Sequence, residues 1–122
     1  MRENLVKKVG ERGQDNLIAG LFPRALTTGV NIAAGAGKLA RGTILSRKED
    51  GTCEVMAAGG TPAYILVDPV DASGTEAVAA VVYRSGNFNP DEVIVSEGYT
   101  LTAADKDTLR KYDIVFTNMM ED

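Results

Sequence analysis

Two aspartates three residues apart, Asp68 and Asp71, enclose Pro69 and Val70 in the stretch ILVDPVDASGTEAV, Ile65 to Val78. Paired carboxylates suit hard divalent cations, which prefer oxygen ligands, and such a cation can activate water against a phosphoester. Metal-dependent phosphomonoesterases write this pairing as D-P-[IL]-D-G-T. Here the text is D-P-V-D-A-S-G-T, so Gly74 and Thr75 are displaced and the helix start that should follow the second aspartate is out of register. A phosphatase would also need further acids converging in space and a longer chain to build its pocket. Pro69 fixes its own backbone and biases Asp68 toward extended geometry, while Asp71, Ser73 and Gly74 are turn formers that can bond their own backbone. The spacing therefore predicts a turn or bent strand with two solvated aspartates.

Other candidate chemistry is equally thin. The chain has one cysteine, Cys53, and no histidine, which argues against an intrachain disulfide, a zinc site and a His-based catalytic triad. Cys53 lies between Thr52 and Glu54 in a strand-like stretch with no base to ionise it, and reads as a packed thiol. The glycine-rich AAGAGKLARG invites a phosphate-loop reading, because backbone N–H groups and a lysine can cradle phosphate. A Walker loop, however, needs glycine where Ile32 stands and Ser or Thr where Leu39 stands. These residues predict neither a cofactor nor a catalytic constellation.

What positions these residues follows from composition and pattern. At 122 residues, with 44% apolar and 25% charged side chains, the chain fits one globular domain with a real core. No apolar run has the length of a membrane span or the layout of a signal peptide, so the expectation is a soluble chain without a visible export signal. Charge is uneven. Residues 1–13 hold four basic and two acidic side chains, net +2, leaving nine basic and fifteen acidic for the rest, net −6. An acidic body repels phosphate backbones, and interleaved aromatics are absent among only seven Phe and Tyr residues, so direct nucleic-acid binding is not expected.

The opening MRENLVKKVGERGQDN is polar and has few large apolar groups to bury. Leu5 and Val9 share a helical face, whereas Leu5, Lys7 and Val9 share one face of a strand, so periodicity does not decide its conformation. It reads either as an unstructured terminus or as a docking arm that orders on a partner by adding a strand to an exposed edge.

From Leu17 onward, Gly, Pro and Thr punctuate short apolar runs, which predicts strands over Thr27–Ile32, Thr43–Arg47, Cys53–Ala57, Ala63–Val67, Ala77–Tyr83 and Val93–Val95. The six apolar residues opening VAAVVYRSG predict a strand covered on both faces. One helix is written in TLTAADKDTLRKYD: Thr102 caps, Asp105 follows three residues later, and Arg110 and Lys111 close the last turn. DIVFTN then supplies a final strand.

The landmarks stand in a fixed order: an aliphatic stretch before a K-x-x-RG-T-[IV]-L hairpin (Lys38 to Leu45), an A-[YI]-x-L strand (Ala63 to Leu66) running into an aspartate-bearing turn, V-Y-x-[ST]-G-x-F-N (Val82 to Asn89), and a short helix before DIVFT. In this order the chain resembles the lambda-type bacteriophage head decoration, or capsid-cementing, proteins, from about Asp15 to Thr117. VYRSGNFN is the most specific element.

The resemblance implies a mainly β domain of the β-clip or β-tulip sort, partly α+β, with a short C-terminal helix, an N-terminal arm over residues 1–14 and a single domain over 15–122. It implies a homotrimer on the outer surface of the virion capsid, made in the host cytoplasm. There it would bind the major capsid protein of a tailed phage at three-fold and quasi-three-fold sites and stabilise the expanded head against packaged DNA. It implies no enzyme activity, no cofactor, no membrane and no direct nucleic-acid contact. The family's arm role would fall on Arg2, Asn4, Leu5, Val6, Lys7, Lys8, Val9 and Arg12, the basic groups supplying orientation and the apolar ones contact area. The rival readings are a small ligand-binding β-clip domain, a phosphatase-like enzyme using Asp68 and Asp71, and an oligomeric adaptor unrelated to viruses.

Overall fold

The computed structural model describes residues 16–117. The arm residues named above lie outside them. Among the described residues the chain is mainly β, as expected. In order come β1 (Ile18–Gly20), β2 (Leu26–Ile32), β3 (Gly37–Leu39), β4 (Ile44–Arg47), β5 (Cys53–Val55), β6 (Pro62–Leu66), β7 (Val70–Ala72), β8 (Val78–Phe88), a 3-10 turn at Pro90–Glu92, helix α1 (Ala103–Arg110) and β9 (Ile114–Phe116).

The long strand β8 organises the rest. One edge of its first half pairs antiparallel with β2, from Thr27 opposite Tyr83 to Ile32 opposite Val78. Its other edge pairs with β6, Ile65 opposite Tyr83 and Leu66 opposite Val82. Since β2 also meets β5, β5 meets β4 and β4 meets β6, the order β8-β2-β5-β4-β6 returns to β8 and closes a small barrel. Closure removes unpaired edges that would otherwise invite association. Beyond the barrel, the end of β8 is flanked by β1, Ile18 opposite Phe88, and by parallel β9, Gly86 opposite Ile114. A separate ribbon pairs β3 with β7.

Alternation of side chains along the strands divides the apolar residues into two cores. The first takes Ile32, Leu45, Cys53, Leu66 and Val82, one from each barrel strand, and so fills the barrel; Leu39 and Ala72 join it from the ribbon. The second takes Ile44, Met56, Ile65, Phe88, Leu109, Ile114 and Leu17, and lies outside the barrel beneath α1 and β9. Neighbouring residues Ile44 and Leu45 serve opposite cores, as do Ile65 and Leu66, so β4 and β6 are buried on both faces.

Three expectations need correction. Val78–Tyr83 is not covered on both faces: Val78, Ala80 and Val82 turn toward the barrel core, but Ala79 and Val81 face outward, Val81 at 46% exposure. Its sequence is apolar throughout because those outward positions are small or aliphatic, not because a layer covers them. Val93–Val95 is not a strand; only Ile94 forms a bridge, to Thr43, after a 3-10 turn capped by the Asn89 side chain. The strand expected to end at Tyr83 runs on to Phe88, since Gly86 (φ +149°) continues the ladder where its residue type suggested a turn. Two short strands, β1 and β3, were not expected, and β7 forms within the stretch read as a turn or bent strand.

The helix forms as its sequence directs. Thr102 Oγ1 accepts from the Asp105 N–H at 3.0 Å, and the Asp105 carboxylate accepts from the Thr102 N–H at 3.0 Å, a reciprocal capping box. Leu109 is its buried anchor.

Candidate functional site

Asp71 sits on β7 and its carboxylate accepts from the Ser73 N–H at 3.0 Å and from the Ser73 hydroxyl. Those two bonds hold its pKa below the ordinary carboxylate value. Asp68 is exposed in the bend between β6 and β7. Among the described residues, no three His, Cys, Asp or Glu side chains gather as a metal site. The geometry is that of a solvated bend before β7 and an Asp71–Ser73 turn at its end, as the residue types predicted.

Cys53 is fully buried in the barrel core, and burial pushes its thiol upward, away from the reactive thiolate. The glycine-rich stretch bends at Ala33–Ala36 and then forms β3, where Lys38 pairs in register with Asp71. Its backbone N–H groups are used locally, Gly35 donating to the Gly74 carbonyl at 3.0 Å. At the end of this stretch Gly42 has φ +94°, and a Cβ there would come within 2.8 Å of the Glu92 carbonyl oxygen, so glycine is required.

Arg41 bridges elements. It donates to the Val67 carbonyl at 3.0 Å and the Tyr83 hydroxyl at 3.1 Å, with its guanidinium 5.6 Å from the Tyr83 ring centroid. Tyr83 in turn packs on Phe88, centroids 5.2 Å apart. This ties the Arg41-Gly42 turn to the VYRSGNF strand; β3 pairs with β7 and not with β4, so Lys38 to Leu45 does not form the hairpin expected from its sequence.

Exposed apolar side chains occur at a tip and also at Val81, Ile94 and Tyr112, and a pocket opens among the strands. Leu21 and Phe22, between β1 and β2, are each 82% exposed, and the Phe22–Pro23 peptide is cis. The pocket, about 440 Å³, lies where β2, β4, β6 and β8 approach the turn before β9, and is walled by Thr28, Arg47, Pro62, Tyr64, Arg84 and Tyr112. Arg47 donates to the Tyr64 hydroxyl, its guanidinium 5.4 Å from that ring. Sequence reading singled out none of these residues. The one local signal was an apolar Leu-Phe pair placed between glycine and proline, where a turn should be polar. The pocket has no local signal, because its walls come from four strands and a turn. No helix among the described residues is long and apolar enough to cross a membrane.

Comparison with known families gives one match: residues 8–114 fit the family described as Bacteriophage lambda head decoration protein D. The match spans the barrel, the ribbon, α1 and the start of β9. No curated protein sequence matches the chain.

Proposed function

This chain belongs to the bacteriophage lambda head decoration family, and from that premise we propose that it binds the major capsid protein of a tailed phage as a homotrimer. It sits at three-fold and quasi-three-fold positions on the outer surface of the expanded head and holds neighbouring capsid subunits together against the pressure of packaged DNA. The family match over residues 8–114 carries this reading. The physical observations support it. A closed barrel with two apolar cores is a rigid body, and cementing needs buried area and rigidity, not turnover. Asp68 and Asp71 serve a turn, and Cys53 is a core residue, so the side chains that could have carried chemistry have structural employment in this account.

Residues 1–14 act as the capsid-docking arm and residues 15–122 as the decoration domain. In the arm, Arg2, Lys7, Lys8 and Arg12 orient the approach to an acidic capsid surface, while Leu5, Val6 and Val9, with Asn4 in the same run, provide the contact that strand addition to a capsid edge would fix. Three arms acting from one body raise the effective concentration of each, so modest individual contacts sum to firm attachment.

Sedimentation of the protein with expanded, undecorated heads tests this. The full chain is expected to co-sediment, and a variant lacking Met1 to Gly13 is expected to keep its folded body but to lose head binding. Unimpaired binding by the truncated chain would remove the arm from the mechanism.

A further inference from the structure

The two chain segments outside the described residues join the body at one end. The Leu17 carbonyl accepts from the Asn89 N–H at 2.8 Å, and the Thr117 N–H donates to the Phe88 carbonyl at 2.9 Å. Residues 1–15 and 118–122 therefore both leave beside Phe88 and Asn89. A groove opens there. Its narrower part, about 170 Å³, is walled by Val115 and Phe116 of β9 and by Lys106 and Arg110 of α1. Pro90 and Lys106 also line a wider part, about 360 Å³, which runs on to Val95, Tyr99 and Leu101. Val95, Tyr99, Leu101 and Phe116 pack against the outer core and are themselves only partly buried, so the floor is apolar surface of that core.

Charge separates the two segments as occupants. Residues 1–15 hold four basic and three acidic side chains, net +1, whereas residues 118–122, Asn-Met-Met-Glu-Asp, hold Glu121 and Asp122 and no base, net −2. The narrow part of the groove carries two cations and no carboxylate; the one acid along its length, Asp91, lines the wider part. Among the described residues Lys106, half-buried, forms no ion pair, and Arg110 pairs only with Asp107, at 3.5 Å in open solvent. An acidic segment is thus the better match. Methionine fills irregular apolar surface and makes favourable contacts with aromatic rings, which the floor offers at Tyr99 and Phe116. Reach suffices, since five residues past Thr117 span up to about 17 Å and Lys106 lies about 6 Å from Arg110 along the helix.

We propose that residues 118–122 fold back along this groove, Met119 and Met120 on its apolar floor, Glu121 and Asp122 against Lys106 and Arg110. The segment straps α1 to β9 and completes the cover of the outer core, while the basic arm leaves the same end free for another surface. The contact forms within one chain and does not depend on attachment to a head.

A thiol on the groove floor reads its cover. Val95→Cys places one there, and Cys53 is fully buried. In the 122-residue chain the new thiol should react with a maleimide roughly ten-fold more slowly than in a chain ending at Thr117. Glu121→Lys with Asp122→Lys should expose it as truncation does, and adding Lys106→Glu with Arg110→Glu should protect it again. Equal rates with and without residues 118–122 would overturn the strap. Protection that persists in the shorter chain and rises with protein concentration would give the groove to a second copy and overturn it too. The unsubstituted protein supplies an independent reading by nuclear magnetic resonance. The Met119 and Met120 methyl groups should show Overhauser contacts to the Tyr99 or Phe116 ring, and their absence would contradict the strap whatever the variants do.

Discussion

Strands β4 and β6 and the antiparallel pair of β2 with β8 belong to one barrel but live under different constraints. β4 and β6 are covered on both faces, Ile44 and Ile65 by the outer core, Leu45 and Leu66 by the barrel core. The β2–β8 pair is covered on one face only, with Thr27, Thr28, Gly29, Asn31, Ala79 and Val81 open. The first pair fixes the shape of the body, and substitutions there act on folding. The second is free to be shaped by what the body must touch. The family's task of decoration needs both, a body that does not deform and a surface left available.

The largest loss of stability is expected inside the covered pair. Ile65→Ala removes a fully buried side chain from between two strands and is expected to cost about 2–5 kcal/mol in urea unfolding. A loss below about 1 kcal/mol would mean the outer core is loosely packed. An intermediate effect is expected at the helix. Thr102→Ala deletes one half of the capping box and should cost about 1 kcal/mol by the same measurement.

Acid probes the other half of the box. Desolvation pushes the Asp105 carboxyl up, but the Tyr99 hydroxyl and the Thr102 N–H and hydroxyl outweigh it and hold it below its ordinary 3.8. A depressed folded value means the unfolded chain binds the proton more readily. The stability Asp105 contributes is therefore present above the ordinary carboxylate value and is lost as pH falls through the folded one. Asp105→Asn should flatten that part of the acid limb in a pH titration of stability, and an unchanged limb would count against the box as its source. The smallest effect belongs to the open β2–β8 pair: Val81→Ser should alter stability by no more than about 0.5 kcal/mol. A larger loss would show that the outward face is part of the core after all.

The helix was readable from residue types because its signals are local: Thr102, Asp105 and Arg110 lie within one short segment, and the box forms as written. Strands β2, β4, β5 and β6 were readable to within two residues at each end for a related reason, since Gly and Pro bracket them. The Asp68–Asp71 stretch was readable as a bend because Pro69 and Ser73 act on their immediate neighbours. The features that escaped are those decided at a distance. β8 runs on past Tyr83 because β1 and β9 supply partners for Gly86 to Phe88, and nothing in Arg84-Ser85-Gly86 announces them. Barrel closure depends on Ile65 and Leu66 meeting Tyr83 and Val82. The division into two cores then follows, and no periodicity within a four-residue strand distinguishes a strand covered twice from one covered once. Of the surface features, Leu21 and Phe22 carried a local signal that went unread, while the pocket is assembled by tertiary structure alone.

Mixing the purified 122-residue chain with expanded, undecorated heads of the phage whose genome encodes it, and imaging the particles by electron cryo-microscopy, tests attachment itself. The account predicts added density on the outer surface at three-fold and quasi-three-fold positions, three copies to a site, with arms running onto the capsid. Particles that remain bare, or that carry single copies away from those positions, would contradict it.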